Sequence, residues 1–123
     1  GIMTRTIDYY LSKGFDQKTA EYFAGGRKQI IGVKANNDFT LTLSFDNGEK
    51  RLYDVAPLIK PGTVFETFAD INNFRRVYID DQHCIAWDID PTIDSNKVWS
   101  NKVDLCPDEC YIDSIPVGGV VDA

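Results

Sequence analysis

The chain lacks any run approaching the roughly 20 apolar residues that a membrane-spanning helix needs. No secretory signal is visible at its start either, and Gly1, ahead of Ile2-Met3, reads as a remnant of an expression tag. Basic residues are scarce: 13 Lys and Arg stand against 19 Asp and Glu, for a net charge of −6. Adjacent basic residues are few, as at Arg27-Lys28 and Arg75-Arg76. Grip on a phosphate backbone comes from clustered Lys and Arg, so direct nucleic-acid binding is disfavoured. Cysteines number three (Cys84, Cys106 and Cys110), an odd count that does not suit a closed disulfide framework. Reduced thiols in the cytoplasm are the expectation.

Histidine occurs once, at His83, beside Cys84. A Cys–His nucleophile needs thiolate and base within hydrogen-bond reach. These two neighbours fall on a predicted strand, so their side chains leave opposite faces. The same argument keeps His83 and Cys84 from sharing a zinc ion with Cys106 and Cys110. Asp88, Asp90, Asp94 and Asn96 imitate part of a calcium loop, but Ile93 and Trp99 stand where Gly and a bidentate Glu are required. The segment reads as a solvated connection. No serine elbow, phosphate-cradling glycine loop or Walker-type lysine appears, and any of the 19 acids could be paired on paper. The expectation is therefore a protein without catalytic residues, metal or cofactor.

What is present is the makeup of one globular domain: 123 residues, 43% hydrophobic and 12% aromatic. Residues 1–29 read as an N-terminal helical arm. Ile7, Tyr10 and Leu11 form one stripe, Gly14 ends it, and Asp16 caps a second helix with Phe15 and Ala20 as a hydrophobic staple. Gly25-Gly26 stop that helix.

From Ile30 the period becomes two. "IIGVKA" sets Ile31, Val33 and Ala35 on one side, and "FTLTLSF" turns Phe39, Leu41, Leu43 and Phe45 inward. Asn47-Gly48 signals a type I′ hairpin into "KRLYDV", completing a three-stranded antiparallel meander. Thr63 and Glu66 form a capping box, and Asp70 caps a further turn. "RRVYID" and "HCIAWDI" read as two more strands, with His83 at the rim of the core. "CPDECY" reads as a last helical turn with Pro107 at its first position. The predicted class is α+β, an antiparallel sheet with short helices on one face. Its single domain runs over 30–115, and a loose tail covers 116–123.

Tyr22 and Phe23 on the arm, with Trp99 in a polar setting, are the candidate contacts for a protein partner, since tryptophan is enriched at interface hot spots. An exposed edge strand could also pair with a second copy, which Lys50, Arg51 and Arg75 would resist.

The order of these elements resembles a bacterial family, Domain of Unknown Function 2442, over residues from about 30 to 112. The shared features are the alternating strand, a glycine turn before a strand ending in Asp54, and Gly62-x-Val64-Phe65. Phe74, the strand-borne Trp87 and a closing Asp104-Leu105-x-Pro107-Asp108-x-x-Tyr111 complete the pattern. The chain departs from it where Asp88 follows the tryptophan, where Cys106 replaces a usual serine, and in its extra N-terminal arm. The resemblance implies a small α+β fold with no established catalytic residues. Some members are proposed as antitoxins encoded beside a small basic partner, and an acidic chain suits such a cognate toxin. The reading that follows is a non-catalytic interaction domain, with a small-ligand-binding or sensory domain as the alternative.

Overall fold

The computed structural model describes residues 7–117. In chain order its helices are Ile7–Ser12 (α1), Gln17–Ala24 (α2), Ile71–Phe74 (α3) and Pro107–Ile112 (α4). Its strands are Ile30–Ala35 (β1), Thr40–Phe45 (β2), Lys50–Asp54 (β3), Tyr78–Ile79 (β4), Ile85–Asp88 (β5), Lys102–Leu105 (β6) and Ile115–Val117 (β7). Two antiparallel sheets result, one ordered β1-β2-β3-β7 and one ordered β4-β5-β6. The α+β class read from the sequence is the class of the structure. Beyond the meander, the pattern predicts two strands and the described residues hold four. Among those residues, no helix is long and apolar enough to cross a membrane.

Three hairpins use one loop geometry. Gly48 donates to the Phe45 carbonyl (3.0 Å), Phe39 to that of Asn36 (3.3 Å) and His83 to that of Asp80 (3.0 Å). Each is a right-handed turn followed by one left-handed residue, with φ of 89° at Gly48, 66° at Phe39 and 63° at His83. The two-residue I′ turn expected at Asn47-Gly48 is thus corrected, because only Gly48 has positive φ. Asn47 instead uses its side-chain oxygen to accept the Glu49 N–H (3.1 Å), closing a local ring in the right-handed conformation.

Phe39 and His83 carry side chains at a position that costs about 1–2 kcal/mol with a Cβ. Phe39 packs edge-on to Phe74, ring centroids 5.3 Å apart. His83 Nδ1–H donates to the Ile30 carbonyl (3.1 Å), tying one sheet to the other. His83 therefore belongs to a turn, while Cys84 continues the β4–β5 pairing by accepting the Asp80 N–H (3.0 Å), just before β5 begins at Ile85. Parity along a strand does not apply to His83.

The β1 parity is corrected as well. Ile30 pairs with Phe45 but Gly32 pairs with Ser44, so one residue is extra. That bulge turns Ile31 outward, 60% exposed, while Ile30 is buried and Val33 and Ala35 pack on the core. Caps fare better. Asp16 accepts the Thr19 N–H (2.8 Å) and Asp70 the Asn72 N–H (2.9 Å). The Thr63–Glu66 capping box is corrected: the 3₁₀ turn at Glu66–Ala69 starts after Phe65 with no side-chain cap, and Glu66 accepts the Gly62 N–H (3.0 Å), since the Thr63 N–H already donates to the Lys60 carbonyl (3.2 Å).

The core centres on Trp87 of β5. Its ring is fully buried against Phe68 (4.9 Å), Phe74 (5.9 Å) and Phe65 (6.1 Å). Its Nε1–H donates to the Phe74 carbonyl at 2.8 Å. The arm packs on the domain through α2, where Ala20 and Tyr22 are buried, whereas α1 buries none of its residues. At the other end, Arg51 donates from Nε to Ser114 Oγ and from a terminal nitrogen to Ser114 O, both at 2.7 Å. That clamp feeds β7 onto β3, so the tail boundary read at 116 falls inside a strand. Residues 118–123 lie outside the described residues.

Trp87→Phe should lower the urea midpoint of unfolding by the equivalent of about 2–3 kcal/mol, without changing the denaturant slope. It strands a buried carbonyl and leaves a small void.

Candidate functional site

The β5–β6 ladder sends alternate residues to opposite faces. Ile85, Trp87, Val103 and Leu105 enter the core. Asp88 and Lys102, which are cross-strand partners, face the other way, as do Ala86 and Asp104. Tyr78 pairs with Ala86 from β4 and extends that outer face. The connection from Ile89 to Val98 folds over it and encloses an open groove of about 760 Å³. Tyr78, Asp80, Asp81, Asp88, Asp94 and Lys102 are among its walls. Four aspartates against one lysine make it strongly acidic.

These carboxylates are held differently. Asp80 has a side chain only 6% exposed; it accepts the N–H groups of Gln82 and Cys84, each at 2.9 Å, and the Lys102 ammonium at 2.7 Å. Burial opposes its ionisation, but the bonds from Lys102, Cys84 and Gln82 outweigh that cost and hold its carboxyl below the ordinary range. Asp88 accepts from Tyr78 Oη (2.8 Å) and Ser95 Oγ (2.6 Å), which fixes it to both the sheet and the loop. Asp81 and Asp94 are exposed and carry no ion pair among the described residues.

Asn101 organises the loop. Buried just before β6, it accepts the Asp90 N–H (2.9 Å) and donates to the carbonyls of Asp90 (3.0 Å) and Ile93 (3.2 Å) and to Ser95 Oγ (3.0 Å). Asp90 and Asp94 spend an oxygen each on the N–H groups of Thr92 and Asn96, both at 2.9 Å. Of the acids that mimic a calcium loop in the sequence, Asp90 and Asp94 are here turn-formers and Asp88 is the last residue of β5. Among the described residues, one other grouping has metal-ligand chemistry: oxygens of Asp80 and Asp104 and the Cys84 sulfur lie within 4.8 Å of one another. Lys102 already sits on both carboxylates, at 2.7 and 4.0 Å, so an incoming cation would have to displace it. Burial, followed by the charges of Asp80 and Asp104, pushes the Cys84 thiol up to about 11.

The three residues read as partner contacts fall in different settings. Trp99, on the 3₁₀ turn that ends at Asn101, is 84% exposed, and Val98, Ile93 and Ile89 on the preceding connection are exposed too. Phe23 is half-buried, stacked with Tyr10 (5.7 Å) and tilted against Phe15 (5.5 Å). Tyr22 is only 2% exposed. Its hydroxyl donates to Asp108 of α4 and accepts the Lys28 N–H (3.0 Å), so Tyr22 serves the fold and offers no surface.

A second, smaller cavity of about 220 Å³ opens beside it, where the Lys28 ammonium lies 4.7 Å from the Tyr22 ring centre and 4.9 Å from that of Tyr111. Sequence reasoning missed Asp80, Tyr78 and Lys102 as one site. Their common face emerges only once β4, β5 and β6 are in register. Asn101 carried no signal, because a lone Asn in a polar stretch is indistinguishable from its neighbours.

Two outcomes are expected. Asn101→Ala should cost about 1–3 kcal/mol and speed hydrogen exchange at the amides of residues 89–98 before the rest of the fold. For Asp80 the folded carboxyl ionises more readily than the unfolded one. Its contribution is therefore present above the unfolded value of about 4 and is lost as pH falls through the lower folded value. Asp80→Asn should flatten that acid limb in a series of denaturation midpoints.

No curated protein and no solved structure matches the chain. A family model described as "Protein of unknown function (DUF2442)" matches residues 30–111, about two-thirds of its length. The match begins at β1, leaves out the α1–α2 arm and ends within α4, so it spans β1 to β6 and the acidic groove but not β7. On that match, the chain belongs to the DUF2442 family.

Proposed function

We propose that this chain is a non-catalytic interaction domain that binds a basic partner protein, acting in the bacterial cytoplasm as the antitoxin half of a toxin–antitoxin pair. The observation that carries the reading is Trp99, 84% exposed on the 3₁₀ turn that follows the connection walling the acidic groove. A large aromatic held outside the core gains from burial only when something covers it. The support beneath it is fixed, because Asn101 ties the loop by four hydrogen bonds. A preordered anchor loses little entropy on binding. The neighbouring aspartates supply the attraction that steers a cationic surface into place.

The small-ligand alternative draws on the groove's volume of about 760 Å³, within the range of ligand sites. The groove's open, charged walls favour a protein surface over an enclosed apolar molecule. A compound released on denaturing the purified chain and identified by mass spectrometry would favour the ligand reading.

The primary test is co-expression of the untagged chain with the tagged product of the adjacent gene, followed by size exclusion with light scattering. A stoichiometric complex, with growth arrest when the neighbour is expressed alone, is the expected result. Absence of both would defeat the antitoxin reading. In the complex, Trp99→Ala should weaken affinity at least about tenfold while leaving the melting temperature of the free chain unchanged.

A further inference from the structure

We infer that Cys84 and Cys106 form a thiol pair poised to close a cross-strand disulfide, a covalent modification site on the outer face of the β4-β5-β6 sheet. The inference follows from register. In the β5–β6 ladder Ile85 faces Leu105, Ala86 faces Asp104, Trp87 faces Val103 and Asp88 faces Lys102. One step further outward, Cys84 faces Cys106. The same register holds beyond the other end, where Ile89 donates to Asn101 (2.7 Å).

The backbone at Cys84 points the other way, toward β4. Its carbonyl accepts the Asp80 N–H (3.0 Å) and its N–H donates to the Asp80 side chain (2.9 Å). Cys84 and Cys106 are therefore a non-hydrogen-bonded pair, the kind in which opposed Cα atoms approach to about 4.5 Å. A disulfide needs Cα atoms about 4.4–6.8 Å apart, so that spacing lies inside the range. The ladder stops here for a reason unrelated to distance, since Pro107 has no N–H with which to continue it. Cys106 itself remains extended, with φ −74° and ψ 154°.

Facing agrees with register. Ile85 and Leu105 are buried in the core, which turns both neighbouring thiols outward. Both are free; Cys84 is half-buried and Cys106 exposed. Cys106 is the N-cap of α4 yet makes no side-chain capping bond, so its sulfur is uncommitted. Cys110, the third thiol, is wholly buried in the core and is not accessible to an oxidant in solvent.

The oxidant is a low-molecular-weight disulfide such as oxidised glutathione. The exposed Cys106, as thiolate, attacks one of its sulfurs, breaking that bond and releasing one glutathione thiolate, which takes up a proton. Cys84, deprotonated in turn, attacks the Cys106 sulfur of the mixed disulfide and expels the second glutathione. Two protein thiols are oxidised, and one external disulfide is reduced to two thiols. The new bond would tie the start of α4 to the turn that carries Asp80, beside the acidic groove. The inference does not rest on the interaction reading.

The test uses the full chain, reduced, freed of reductant and treated with oxidised glutathione without denaturant. Remaining thiols are then alkylated in denaturant, and the products are mapped by mass spectrometry. The wild type should lose the mass of two hydrogens, show peptides linked through Cys84 and Cys106, alkylate only at Cys110, and revert with dithiothreitol. Cys84→Ser should halt at a stable glutathione adduct on Cys106. Cys106→Ser, an exposed change that the fold tolerates, should form no internal bond. A wild type that accumulates the same Cys106 adduct as Cys84→Ser would overturn the inference. So would bonds through Cys110, links between chains, or no reaction at all.

Discussion

Trp87 must be hidden on both faces of its ring and still find an acceptor for its N–H. The requirement is severe, because a buried unpaired donor costs about as much as the hydrogen bond it forgoes. The Phe74 carbonyl meets it at 2.8 Å, and that one bond fixes where the short α3 helix ends relative to the centre of β5. Phe65, Phe68 and Phe74 then close around the indole. With the inner face of β5 so committed, the opposite face has no choice of residues. Asp88, and across the ladder Lys102 and Asp104, are presented outward together. The acidic groove is thus the reverse side of the hydrophobic core.

Charge on that face is organised in two tiers. Asp80 and Asp88 are anchored by hydrogen bonds from Lys102, Tyr78, Ser95 and the backbone, whereas Asp81 and Asp94 stand in solvent without an ion pair among the described residues. The anchored pair shapes the groove; the free pair gives it an unneutralised field. Polar groups elsewhere are used structurally. Arg51 clamps Ser114 and pairs with Glu49 (3.0 Å), and Tyr22 links the arm to α4. The arm is integrated into the domain through α2, even though the family match begins only at residue 30.

Much of the fold was legible because its signals are short-range. Asp16 and Asp70 cap as read, since a cap bonds only two or three residues ahead. The β2 alternation holds at Leu41, Leu43 and Phe45 because a central strand of the meander has no bulge. The failures share a cause too. Ile31 is turned outward by a bulge imposed by its pairing with β2, and His83 is drawn into a left-handed turn while its ring reaches Ile30. β7 exists because Arg51, more than sixty residues away, holds Ser114. At the candidate site, the acidity and the exposed Trp99 could be read from composition and context. Tyr22 could not, because its burial depends on Asp108 in a helix at the other end of the chain.

By itself the sequence determined the α+β class, the meander, the helix caps and the excess of acid, since each follows from periodicity, local hydrogen bonding or simple counting. Tertiary structure alone decided which acids share a groove and which residues stand opposite one another across the β5–β6 ladder. Those outcomes depend on strand register, and register is a property of pairs of segments that neither segment encodes alone.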